Sequence, residues 1–218
     1  MHGESADKYP ATSRRRRCGE RAVQALIGVT TGFSLLLVVG CGSGPRGDAA
    51  PPVIKQLPEF SLTNQLGESF GSTELEGRPY VANFFFTSCV TVCPRLMHQT
   101  ATLRRRFREA GFDGICFVSI SVDPEVDRPE KLRRYGELRN IDSADWVLLT
   151  GEKQSIRTLL TEGFMVAVGQ REPLEEDLYE IAHSAKLVLV DRQGAVRGYY
   201  STDEQGLAEI FRDASVLR

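Results

Sequence analysis

An α/β fold, with a central mixed β-sheet flanked by helices and an N-terminal β-hairpin, is predicted from three observations. Two apolar runs, at 81–86 and 115–122, read as buried strands on either side of a helix at 94–110, which makes a βαβ unit. Strand-like and helix-like stretches then alternate to the end of the chain. Ahead of the unit, the segment 60–70 reads as two short strands around the turn signal at 64–67. A chain of 218 residues with a removable leader is expected to build one core.

Each element has its own warrant. Residues 1–40 read as a signal peptide or membrane anchor, because Arg14, Arg15, Arg16, Arg17 and Arg21 precede an apolar stretch at 22–39. That stretch ends in Val38-Val39-Gly40-Cys41, and small residues before a cysteine resemble a bacterial lipoprotein processing site, with Cys41 as the lipidated N-terminus. The alternative is an uncleaved anchor, since about eighteen mostly apolar residues reach the lower limit for a spanning helix. In both cases the arginines stay on the cytoplasmic side. The protein is then exported and tethered on the outer side of the bacterial cytoplasmic membrane, at its periplasmic or extracytoplasmic face.

A flexible linker is expected over 41–56, and the folded domain over 57–218. Downstream of the βαβ unit, Asp123-Pro124 reads as a strand-ending turn leading into a helix over 129–139 that Pro129 opens. A strand at 146–149, a helix at 152–162, a strand at 185–190, a turn at 191–194, a strand at 195–200 and a helix from about 203 complete the order. Between 169 and 180 an acidic loop carries Glu172, Glu175, Glu176, Asp177 and Glu180. It reads as a solvated mobile loop, with a charge able to steer a basic partner as the second reading.

The chemistry concentrates at Cys89 and Cys93. They stand four apart, where the strand at 80–86 runs into a helix that Pro94 opens, so the pair straddles the helix entry and a helical step of four puts both on one face. Unsatisfied N–H groups and the dipole at a helix start favour thiolate, the form that binds metal or attacks disulfides. A strand feeding a cysteine at a helix N-terminus is how thioredoxin-like proteins present a reactive thiol. Read alone, the pair is equally an ordinary disulfide or two small buried hydrophobes. Cys18 leaves with the leader, and Cys116, inside a strand, reads as a small hydrophobe. Of the nitrogen donors, His98 lies about 140° round the helix from Cys93 and reads as solvated. His183 precedes a later apolar run, where a lone histidine is commonly filler. Two thiols and an imidazole are nonetheless a ligand set for a soft metal. Met97 shares the helical spacing, but a methionine there is usually core packing.

The chain resembles the Sco/SenC family, thioredoxin-like proteins serving copper delivery to cytochrome c oxidase. The resemblance rests on Phe85-Phe86-Thr87-Ser88-Cys89-Val90-Thr91-Val92-Cys93-Pro94, on Ser121-Val122-Asp123-Pro124-Glu125-Val126-Asp127-Arg128-Pro129-Glu130, on Leu149-Thr150-Gly151 and on Ile181-Ala182-His183-Ser184. It implies that Cys89, Cys93 and His183 bind a copper ion, Cu(I) or Cu(II). It further implies a copper-binding metallochaperone whose partners are the copper-site subunit of cytochrome c oxidase and a thiol–disulfide reductant. The family commonly has Asp before the histidine, where this chain has Ala182. A backbone carbonyl, a water or another carboxylate such as Asp123 must then hold the imidazole. The competing expectation is a thiol:disulfide oxidoreductase with Cys89 and Cys93 as its redox-active pair, although redox thioredoxins use a Cys-x-x-Cys spacing and do not require His183. A thiol peroxidase is a weaker third.

Charge excludes one class of partner. Residues 1–40 hold six of the 27 basic and three of the 29 acidic residues, leaving 21 basic and 26 acidic, a net of −5. Nucleic acid would call for a basic face. The cluster Arg104, Arg105, Arg106 and Arg108 falls late in a helix, where cations suit the dipole and solvent.

Overall fold

Tyr80–Phe85 is buried along its whole length, as a strand of a sheet covered on both faces must be. The computed structural model describes residues 49–142, 144–174 and 178–217. The signal or anchor segment with Cys41, and Glu175, Glu176 and Asp177 of the acidic loop, lie outside the described residues. In chain order the described residues form β1 (Lys55–Gln56), β2 (Ser61–Asn64), β3 (Ser69–Gly71), α1 (Ser72–Leu75), β4 (Tyr80–Phe85), α2 (Cys93–Glu109), β5 (Cys116–Ser121), α3 (Pro129–Leu138), β6 (Trp146–Thr150) and α4 (Lys153–Thr158). A π turn (Leu159–Gly163), β7 (Arg171–Pro173), β8 (Tyr179–Ile181), β9 (Leu187–Val190), β10 (Ala195–Tyr200) and α5 (Glu204–Val216) follow.

Eight strands form one sheet in the order β1-β10-β9-β4-β5-β6-β2-β3, with β7 and β8 paired separately. The strands β4, β5 and β6 run parallel, and β9 runs antiparallel to β4 on its other side. The N-terminal hairpin expected within 60–70 is β2–β3, and it lies antiparallel on β6. Side chains alternate across β4. Asn83 donates to Thr100 of α2 at 3.0 Å and Phe85 meets Tyr135 of α3, while Phe84 meets Phe164 beyond the π turn on the opposite face. Phe84, Phe85, Phe86, Phe107, Phe117 and Trp146 are fully buried, and each contributes roughly 1.5–3 kcal/mol over an exposed ring.

Three expectations need correction. The last residues of the 41–56 segment are not linker: β1 pairs with β10, and the Ile54 N–H donates to the Val196 carbonyl at 2.8 Å. Residues 169–180 are not simply a loop, since β7 and β8 make an antiparallel hairpin with Glu172 opposite Glu180. The arginine cluster is not one solvated face. Arg104 is buried, lies over the Trp146 ring and pairs with Asp145, so it ties α2 to the entry of β6, and Arg108 joins the same carboxylate at 3.0 Å.

Candidate metal centre

Parallel strands leave their chain ends together, and the site lies where β4 and β5 both end. From β4 the chain crosses residues 86–92 into α2 and delivers Cys89 and Cys93. From β5 it delivers Asp123 and Asp127. Because β9 runs antiparallel to β4, its start lies at this same edge, and His183 stands just before it. The register of three strands therefore brings together side chains ninety residues apart.

Cys89 is not on the helix, contrary to the one-face expectation. It precedes α2, which begins at Cys93 with Pro94 in its first turn. The sulfur reaches the helix end nonetheless, accepting the Cys93 N–H at 3.4 Å and standing 3.5 Å from the Thr91 hydroxyl. Burial opposes its ionisation, but the hydrogen bonds from Thr91 and Cys93 outweigh burial and draw the Cys89 thiol below its ordinary value. Cys93 behaves oppositely: it has no exposed surface, and burial pushes its thiol far up, with the neighbouring Cys89 adding to the rise. Cys89 is the readier of the two sulfurs to ionise, and burial holds Cys93 as a thiol.

The Cys93 sulfur lies 3.6 Å from Nε2 of His183. Nδ1 of that ring stands 2.6 Å from the Ile181 carbonyl, so Nδ1–H donates there and the Nε2 lone pair is left facing the sulfur. Burial holds the imidazole below its ordinary pKa, which keeps it a neutral donor at pH 7. Asp123 does not serve His183. Its carboxylate accepts from Arg171 and from the Tyr179 hydroxyl, each at 2.5 Å, while its carbonyl closes the turn to Asp127, as a strand-ending turn requires. Met97 is buried with its sulfur 4.0 Å from the Ser119 hydroxyl, and His98 is exposed, so neither joins the site. Among the described residues no three His, Cys, Asp or Glu side chains stand as a ready-made coordination group; Cys93 meets His183 on one side and Cys89 on the other.

Several contributors escaped sequence reasoning. Asp127, with no exposed surface, accepts from the Thr87 N–H at 2.9 Å, the Thr87 hydroxyl at 2.5 Å and the Ser121 hydroxyl at 2.6 Å, anchoring the start of the cysteine loop. Thr91 donates to Glu180 at 3.2 Å, which joins the cysteine loop to β8. The signal for Asp127 was its place four residues after Asp123 at a strand end. The partner of Thr91 lies 89 residues away and leaves no local trace.

A family model described as SCO1/SenC matches residues 50–215. The chain belongs to the SCO1/SenC family. Among its SCO1/SenC relatives, the SCO1 protein homolog of Bacillus subtilis is 27% identical over 201 residues, covering 90% of this chain and all of that one. A SCO1/SenC family lipoprotein of Bacillus anthracis superposes with a TM-score of 0.69 at 32% identity, over 78% of this chain and 99% of that one. ScoI of Bradyrhizobium japonicum, solved with copper bound, gives a TM-score of 0.61 at 25% identity over 72% and 98%. Solved structures at lower identity in the SCO1/SenC group carry the thioredoxin-like fold predicted from the strand-to-cysteine arrangement.

Proposed function

We propose that this SCO1/SenC protein binds copper through Cys89, Cys93 and His183 and passes it to cytochrome c oxidase during assembly, while Cys41, lipidated, holds it to the membrane. The observation that carries the reading is the 3.6 Å approach of Cys93 Sγ to a neutral imidazole nitrogen whose other nitrogen is already engaged. Two sulfurs and one imidazole suit Cu(I), which favours soft donors and low coordination number, whereas structural zinc takes four ligands. Copper is the cargo here, and three ligands leave a coordination position for a recipient's thiolate or imidazole to enter before an old ligand leaves. Two relatives support both halves of the reading: a ScoI solved with copper bound and a SCO1/SenC family lipoprotein.

Loading requires the proton on Cys93 to leave, because burial keeps that thiol protonated at neutral pH. Affinity for Cu(I) therefore rises with pH. The deciding experiment is a Cu(I) titration of the reduced protein beside His183→Ala. A loss larger than the roughly 10–100-fold that removal of an outer partner costs is expected. Equal affinity in the two proteins would overturn the proposal.

The asymmetry of the cysteines favours one second reading. A thiol drawn down at Cys89 beside a fully buried, protonated Cys93 is the layout of an attacking and a resolving sulfur. As a thiol:disulfide oxidoreductase the protein would reduce the recipient's cysteines and have no need of His183, so the same titration separates the two.

A further inference from the structure

We propose that Asp123, Tyr179 and Arg171 act as positioning residues that pin the β7–β8 hairpin to the end of β5 and so hold His183 over Cys93; this rests on the copper reading and deepens it.

The argument begins with a buried charge. The Asp123 side chain is 4% exposed, and a carboxylate withdrawn from water persists only when it is paired and hydrogen-bonded. Its backbone is fixed to the sheet: its N–H donates to the Ser121 hydroxyl at 3.1 Å, and its carbonyl accepts from Val126 and Asp127. Both partners of its carboxylate come from the hairpin, one from each strand. Arg171 of β7 bonds one oxygen and Tyr179 of β8 the other. The Arg171 guanidinium also lies over the Tyr179 ring, 4.5 Å from its centre.

Tyr179 carries the connection onward. Its ring is stacked on Phe86 at 5.6 Å, and Phe86 meets the His183 ring edge-on at 5.7 Å. Phe86 opens the loop that carries the cysteines, so one aromatic ring is shared by the hairpin, the cysteine loop and the imidazole. Tyr179 and Ile181 belong to the same three-residue strand, and Ile181 supplies the carbonyl that orients His183. Freeing the phenol from Asp123 frees the strand that aims the imidazole. At the stem, the Gly169 N–H donates to the Ala182 carbonyl at 2.7 Å, which closes the hairpin without tying it to the sheet's end. The latch does that tying, with Thr91 and Glu180 as an exposed second tie.

Tyr179→Phe tests this with least disturbance, since it keeps the ring on Phe86 and removes only the hydroxyl; Asp123→Asn is the companion variant. Two quantities are measured in the full-length protein, each also in a His183→Ala background: amide hydrogen exchange without metal, and the rate at which Cu(I) passes to a competing chelator. Loss of a hydrogen bond to a buried charge should speed exchange of the β7–β8 amides about tenfold, leave β4 and β5 unchanged, and speed Cu(I) release about tenfold. In the His183→Ala background the effect on release should vanish, because a positioning residue acts only through the group it positions. Unaltered hairpin exchange in Tyr179→Phe, or an equal effect on release without His183, would overturn the proposal. Should Asp123→Asn fail to fold, Tyr179→Phe decides alone. If His183→Ala leaves copper affinity intact while hairpin exchange still responds, the copper reading falls and the latch stands.

Discussion

Two sulfurs four positions apart are made chemically unlike by where each stops relative to the helix. Cys89, ahead of α2, gathers hydrogen bonds, whereas Cys93, inside its first turn, is covered on all sides. Iodoacetamide should therefore modify Cys89 well before Cys93 in the reduced protein, which peptide mass spectrometry reads directly. Thr91 refines the expectation, since it has one proton and two acceptors within reach, the Cys89 sulfur and Glu180. In Thr91→Val the hydrogen bond that favours the Cys89 thiolate is gone, so the midpoint of the alkylation rate against pH should move upward. A midpoint that stays put would assign that proton wholly to Glu180. The identities of Cys89, Cys93 and His183 as candidates were legible in the sequence because residue type carries their chemistry. Their unequal environments were not, because burial and the Ile181 carbonyl are set by strands far apart in the chain.

At the scale of elements, the segment 86–92 is held by what lies beneath it. Asp127 satisfies Thr87 twice and Ser121 once from a position without water. Asp127→Ala strands these donors and should lower stability by about 3 kcal/mol, seen as a fall in the urea midpoint. It should also hasten alkylation of Cys93 as the loop loosens, while an unchanged rate there would show the loop to be held by α2 alone. Most strands and helices followed from apolar runs and punctuating prolines: Pro94 and Pro129 fall in the first turns of α2 and α3. The hairpin β7–β8 did not, because three-residue strands made of Arg171-Glu172-Pro173 and Tyr179-Glu180-Ile181 carry too few apolar side chains to show alternation. The two-residue β1 has no pattern to read, and only its pairing with β10 defines it.

For the whole molecule, order along the chain is converted into one functional edge by strand direction: parallel β4 and β5 end there, and antiparallel β9 starts there. The fold class could be read from the alternation of elements, but Arg104 shows where composition misleads. Four arginines late in a helix look solvated until Asp145 and Trp146, some forty residues on, arrive to cover one of them. The proposed tether is tested on the entire chain: labelled palmitate should enter the protein and be lost in Cys41→Ala, whereas a protein that takes up no label would favour an uncleaved anchor at 22–39. The contact between His183 and the Ile181 carbonyl has a consequence of another kind. With Ala182 beside it, the tautomer of the imidazole depends on the path of the main chain, which no single side-chain replacement deletes. Point mutation at the neighbouring position can change what surrounds the ring, yet the identity of the nitrogen turned toward Cys93 is inherited with the hairpin itself.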